Sequence, residues 1–324
     1  MAVSLPAALA DAVRQLADGQ DRAALKRSSA RISEHYRAEG RTAEVVGAGA
    51  DAVAYALSRM PATYAAVVTV LEELRARAPE FAPDRLLDAG AGPGTATWAA
   101  AEVFPQLRSA TLLDNSREFL RLARTLGAGL GLELIEEADS LMGKRTEVRD
   151  AHDRYAAVVC AYALTEFDDA AVVGVAERLW ARTNGALVIV EPGRPRDYQR
   201  LLVVRERLIG LGARVLAPCP HERDCPLLAP DWCHFSVRLP RTRDHMRMKG
   251  ASLGFEDEKF SYLVLAREGI GGPAAGRVIK PTAENKFSVA LEVCAVDGVE
   301  QRVVLSRDKA AFKAAKKLSW GDAL

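Results

Sequence analysis

The chain has 324 residues, of which 49% are apolar and 27% charged, with 44 Lys and Arg against 43 Asp and Glu. That is enough length and apolar content for one large globular domain with extensions. No stretch reaches the roughly 20 uncharged apolar residues of a membrane-spanning helix, and MAVSLPAALADAVRQLADG carries acids without a basic leader, so neither a membrane span nor a secretory signal is expected.

Residues 1–80 read as helices: Ala, Leu and Arg dominate, and ADAVAYALSRMPATYAAVVTVLEELRARAP has helical spacing closed by Pro79 and Pro83. From Arg85 short apolar runs alternate with amphipathic stretches. RLLDAG, SATLLD, LELIEEAD, YAAVVCAYAL, GALVIVEPG, ARVLAP and KFSYLVLAR are the predicted strands, with helices between most of them. Such alternation predicts an α/β fold with a doubly wound parallel sheet over residues 81–268. A Cys-rich insertion, residues 218–250, separates the last two strands. After the linker GIGGPAAG, residues 269–324 read as a small β unit with a hairpin turn at Asp297-Gly298 and a closing basic helix, DKAAFKAAKKL. Residues 194–324 hold 23 Lys and Arg against 16 Asp and Glu, while the preceding part is acidic. The split points to an anionic partner for the C-terminal half.

LLDAGAGPGT sets Asp88, Gly90, Gly92 and Gly94 where the first strand turns into a helix. Glycines let the backbone turn tightly against a ligand, and the helix start beyond offers free N–H groups. Asp114 follows Gly94 by 20 residues, at the end of the second strand, which makes this a nucleotide-type binding turn. Asp88 directly before the glycines would repel a pyrophosphate but attract the ammonium of S-adenosylmethionine (SAM). Asp114 is placed to take two ribose hydroxyls, and Asp139, ending the third strand, to meet the adenine amino group. Asp-x-Gly-x-Gly-x-Gly resembles the signature of class I SAM-dependent methyltransferases, a resemblance that covers about residues 81–268 and implies their Rossmann-like fold. Beyond the fourth strand CAYALTEF lacks the Asn/Asp-Pro-Pro-Tyr element of many amino-group methyltransferases. Cys160 reads as a buried strand cysteine and Glu166 as a helix-start acid, so no catalytic residue is nominated.

Three of the five cysteines fall within fifteen residues: Cys219, Cys225 and Cys233 in C-x5-C-x7-C, with Cys294 far downstream. An odd count in a long chain argues against a secreted disulfide framework and for a reducing, cytoplasmic setting with thiols as metal ligands. Four soft thiolates suit tetrahedral zinc or an iron–sulfur cluster, and spacing alone does not choose. His221 or His234 could replace one thiolate at zinc. The C-x3-C-x2-C spacing of radical-SAM enzymes is absent.

CPHERDCPL, DWCHFSVRLPRTRDHMRMKG, EDEKFSYLVLAR and AAKKLSWGD, taken with the glycine turn, resemble the methyltransferase-like family of mitochondrial small-ribosomal-subunit assembly factors and its bacterial and archaeal relatives, from about residue 40 to the C-terminus. The resemblance implies a [4Fe-4S] cluster on Cys219, Cys225, Cys233 and Cys294. It also implies small-subunit rRNA as partner, which gives Arg238, Arg241, Arg243, Arg247 and Lys249 a role on the RNA backbone. The chain is accordingly expected to be a cytoplasmic monomer that binds SAM and a cluster and acts on or near rRNA in assembly. Three versions stay open: an rRNA methyltransferase, a catalytically inactive SAM- and rRNA-binding module, and a zinc-containing methyltransferase for a small molecule or protein.

Overall fold

A computed structural model describes residues 3–37, 49–144, 147–249 and 252–324. The glycine turn sits in a mixed α/β layer. Strands β1 (Arg85–Ala89), β2 (Ser109–Asp114), β3 (Glu133–Ala138), β4 (Tyr155–Ala161) and β5 (Thr183–Pro192) run parallel. They are joined by the helices α5 (Thr95–Val103), α6 (Arg117–Gly127) and α7 (Asp169–Ala181), and α8 (Pro195–Gly210) leads on to β6 (Arg214–Ala217). The sheet order is β3-β2-β1-β4-β5-β8-β6, with β8 (Phe255–Ala266) antiparallel to both neighbours. The order is parallel-dominated and Rossmann-like, with one antiparallel strand inserted near the edge.

The central strands read as unbroken apolar runs because both faces are covered. Residues alternate between two cores. Leu86, Val159, Val188, Val190 and Val264 face one side, with α5, α6 and α4 (Met60–Arg77). Leu87, Val158, Cys160, Leu187, Ile189 and Leu265 face the other, with α7 and α8. Helices α1 (Ala7–Asp18), α2 (Arg22–Arg37) and α3 (Gly49–Ser58) pack outside α4, and α2 and α3 also touch α9 (Arg243–Lys249).

The basic segment within the expected insertion forms a strand and a helix. Phe235–Pro240 forms β7, antiparallel to the first half of β8 with Phe235 opposite Phe260 and Pro240 opposite Phe255, and the next residues form α9. The charges explain the pairing. Glu256, Asp257 and Glu258 look like loop residues by hydropathy, but they lie across from or beside Arg238, Arg241 and Lys249, and cross-strand ion pairs support the ladder. Gly250, which closes the expected insertion, lies outside the described residues.

At the C-terminus β9 (Gly276–Val278), β10 (Ala283–Glu284), β11 (Ser288–Ala295) and β12 (Gly298–Leu305) form a second, antiparallel sheet. Val289, Leu291 and Val293 pack with Ala315 of α10 (Lys309–Ala315) as its own small core. The sheet is tied to the rest through Arg277, which is 2% exposed. Its guanidinium donates to the carbonyls of Pro218 (3.2 Å) and Gly321 (2.8 Å) and to Glu73 of α4 (2.6 Å).

Candidate functional site

Two concave sites lie on this frame. The first is built on the glycine turn. Gly90 (φ +74°) and Gly92 (φ +52°) adopt left-handed backbone that side chains resist. A Cβ on Gly90 would lie 2.4 Å from the Cβ of Ala163, so the close approach of the two loops requires glycine. Gly90, Gly92, Asp114 and Asp139 line one pocket with Tyr55, Ser140, Leu141, Tyr162 and Glu166. Asp114 accepts from the backbone N–H of Gly92 and of Ser116, both at 2.8 Å. A carboxylate has about four acceptor positions, so these bonds leave room for hydroxyl donors. Burial pushes its pKa upward, while the N–H bonds from Ser116 and Gly92 oppose the shift. Asp139 accepts from its neighbour Ser140 N at 2.8 Å.

Asp88 and Gly94 are placed elsewhere. Asp88 is 2% exposed and turns toward α5, where it accepts from Thr97 N (2.9 Å) and Thr97 Oγ1 (2.8 Å). It ties the helix start to β1 and is not among the residues that line the pocket. Gly94 (φ +79°) is the N-cap of α5, packed against Ala123.

Sequence reading missed Glu191, at the C-terminal end of β5. It is wholly buried and accepts from Leu164 N at 3.0 Å, so it fixes the loop that closes the pocket. Its visible signal is an acid ending an otherwise apolar strand. Tyr162 (φ +57°) in the same loop donates its hydroxyl to Glu258 at 2.9 Å. Cys160 faces the α7–α8 core, fully buried, with its thiol pKa pushed well up by burial. Glu166 ends a one-turn 3-10 helix at the pocket wall.

The second site answers the cysteine pattern. Cys219, Cys225, Cys233 and Cys294 line one cavity, walled also by Tyr198, Arg205, His221, Tyr262 and Arg277. Cys294 arrives from β11, where it is paired with Arg277 of β9, and residues paired across antiparallel strands share a face. Burial raises the pKa of Cys219 and Cys233 and pushes Cys294 up to about 12, and neighbouring thiols add to each rise. All four are free of disulfides. Tyr198 Oη lies 3.0 Å from Cys225 Sγ, and His221 Nε2 4.0 Å from Cys294 Sγ. His234 is instead stacked between Trp232 and the edge of Trp320, outside the cavity lining. Among the described residues, no group of three or more His, Cys, Asp or Glu side chains is placed to hold a metal ion.

The five basic residues do not form one exposed strip. Arg241 and Lys249 are mostly buried and paired with Glu256 (3.2 and 2.5 Å). Arg238 pairs with Asp257 through two of its nitrogens, Nε and Nη2 (2.7 and 2.8 Å). Arg243 and Arg247 face outward and line an open groove with Arg22 and Lys26 of α2. Sequence gave no sign that an N-terminal helix would complete this surface.

Burial pushes Asp88 to about 7 and Glu191 to about 8. Both folded-state values lie above the unfolded ones, so their stabilising contribution is complete below pH about 4 and is lost as pH rises through 7 to 8. Glu191→Gln keeps an acceptor for Leu164 N and removes the charge. Thermal unfolding should show the variant equal to the parent near pH 5 and more stable near pH 9; parallel profiles would contradict this account of Glu191.

The description "Mitochondrial small ribosomal subunit Rsm22" matches residues 49–324 of this chain. Human ribosome assembly protein METTL17, mitochondrial, is 32% identical over 289 residues, covering 83% of this chain and 61% of the human protein. Rsm22-cox11 tandem protein 2, mitochondrial, of Schizosaccharomyces pombe is 23% identical, covering 83% of this chain and 42% of its own length. The chain therefore spans about three fifths of the human relative and two fifths of the yeast one. Among solved structures, magnesium protoporphyrin IX methyltransferase (ChlM) from Synechocystis PCC 6803 with bound SAM is 13% identical, with a TM-score of 0.41 over 69% of this chain and 85% of that one. The match over residues 49–324 places the chain in the mitochondrial small ribosomal subunit Rsm22 family.

Proposed function

We propose that the chain is a SAM-binding, iron–sulfur-containing factor that acts on the rRNA of the small ribosomal subunit during assembly. The observation that carries this reading is the gathering of four cysteines, one of them from a separate C-terminal sheet, around one cavity beside a methyltransferase-type sheet.

The pocket fits SAM by its donor set. Asp114 would take the ribose hydroxyls, Asp139 the adenine amino group, and Gly90 and Gly92 keep the floor free of side chains for the amino-acid end. Bound there, SAM supplies an electrophilic methyl group. The cavity offers the donor set of a cluster: four cysteine thiols, on walls that also carry two arginines. A polynuclear group held by all four thiols would cross-link the 219–233 segment to β11. For RNA, the support is the groove between α2 and α9, where Arg22, Lys26, Arg243 and Arg247 meet Asp18 and Asp244. The names of the relatives, which concern mitochondrial ribosome assembly and the small subunit, support the same partner.

A second reading keeps the same ligands and omits methyl transfer. It is favoured by the pocket wall, where Cys160 faces away, Tyr162 is engaged by Glu258, and Glu166 is left as the acceptor-side acid.

Three measurements test these statements. Protein purified without oxygen should be brown, with visible absorbance bleached by dithionite; colourless protein carrying stoichiometric zinc would refute the cluster. In calorimetry Asp114→Asn should weaken SAM binding about tenfold or more, the effect of weakening hydrogen bonds to a charged acceptor, and unchanged affinity would remove Asp114 from the site. Binding to small-subunit rRNA should fall steeply with salt, and Lys26→Glu with Arg243→Glu should weaken it and flatten that dependence. A double variant with unaltered binding and slope would clear the groove of this role.

A further inference from the structure

Arg205 projects from the apolar face of α8, at a position that helical spacing from Leu201 assigns to the core, and it is 4% exposed. One nitrogen donates to the carbonyl of His221 at 2.6 Å. Its Nε is buried without a hydrogen-bond partner, and among the described residues no carboxylate pairs with it. The guanidinium lines the same cavity as the four thiols and lies close enough to Cys219 to draw its pKa down against the effect of burial.

A guanidinium taken out of water without a counter-charge is penalised by several kcal/mol. Neutral thiols do not compensate it. The other buried cation of the cavity, Arg277, has a carboxylate partner, Glu73 at 2.6 Å, shared with Arg77, and donates to two carbonyls. Arg205 therefore brings into the cavity a positive charge with no carboxylate partner and a buried Nε–H with no acceptor, which together call for an anion among the cysteines. Four thiolates on a [4Fe-4S] core of charge +2 carry a net charge of −2, and reduction by one electron makes it −3.

We propose that Arg205 is the built-in counter-cation of the group held by Cys219, Cys225, Cys233 and Cys294, a positioning residue that stabilises its negative charge and so raises its reduction potential. The inference rests on the cluster reading above. Net charge and hydrogen bonds at the sulfurs are among the protein's means of tuning such a centre, and a cation favours the more negative, reduced form.

The test compares the full-length parent with Arg205→Met, which keeps the packed stem and removes the charge, and Arg205→Lys, which keeps the charge and loses the fork. Each is purified without oxygen, checked for folding by circular dichroism, assayed for iron and sulfide, and titrated spectroelectrochemically. Arg205→Met should have a more negative potential and lose its visible absorbance in air at least threefold faster; Arg205→Lys should stay near the parent on both. If the Met variant folds poorly, Arg205→Gln takes its place as the neutral variant. A neutral variant with the parent's potential and air lifetime would overturn the proposal, as would a Lys variant displaced as far as the neutral one. A parent protein without iron would instead refute the cluster itself, an outcome visible before any variant is compared.

Discussion

The arrangement depends on where Arg277 is held. It stands opposite Cys294 across the β9–β11 ladder, and its guanidinium reaches Glu73 in α4, the carbonyl of Pro218 just before the cysteine segment, and the carbonyl of Gly321 near the C-terminus. One buried side chain thus joins the N-terminal helices, the edge of the large sheet and the small sheet. Removing Glu73 would strand the buried guanidinium at a cost of about 3–5 kcal/mol, so the docking of the C-terminal unit is specified chemically as well as by shape. Without that docking Cys294 has no reason to face the other three.

The two sites share more than a sheet. Glu191 ends β5 and fixes the loop over the glycine pocket, and within one further turn of chain α8 begins, carrying Tyr198 against Cys225 and Arg205 into the cysteine cavity. Trp232, within the cysteine segment, donates to the carbonyl of Gly193 at 3.0 Å. The β5–α8 junction therefore borders both sites. Tyr162, at the pocket, meets Glu258 of β8, the strand that also carries the Glu256 network under α9. Pocket, cavity and basic helix are fastened to neighbouring elements of one layer.

How much of this was legible depends on whether the chemistry is local. The glycine turn, Asp114 and the strand alternation are local patterns, and the structure brings Gly90, Gly92, Asp114 and Asp139 to one pocket. The concentration of cysteines was visible too, and the structure puts all four of them on the walls of one cavity. Asp88 shows the limit: its position before the glycines is visible, but the face it takes is decided by Thr97 of α5, nine residues on. The basic segment shows another. Five cations in a row look like a surface, yet Glu256 and Asp257 across the β7–β8 ladder neutralise three of them, and α2, more than two hundred residues away, contributes to what is left. Arg205 offered a faint signal as a charge on an apolar helical stripe; Arg277 offered none, because its role is defined only by tertiary contacts.

The central claim is that thiols from two remote segments close on one inorganic centre. Native mass spectrometry of anaerobically isolated protein, beside Cys294→Ser, tests it most directly. The account predicts one added mass of a [4Fe-4S] core on the parent and its loss or degradation in the variant. A parent with no added iron and sulfide, or a variant that retains the intact core at full occupancy, would contradict it.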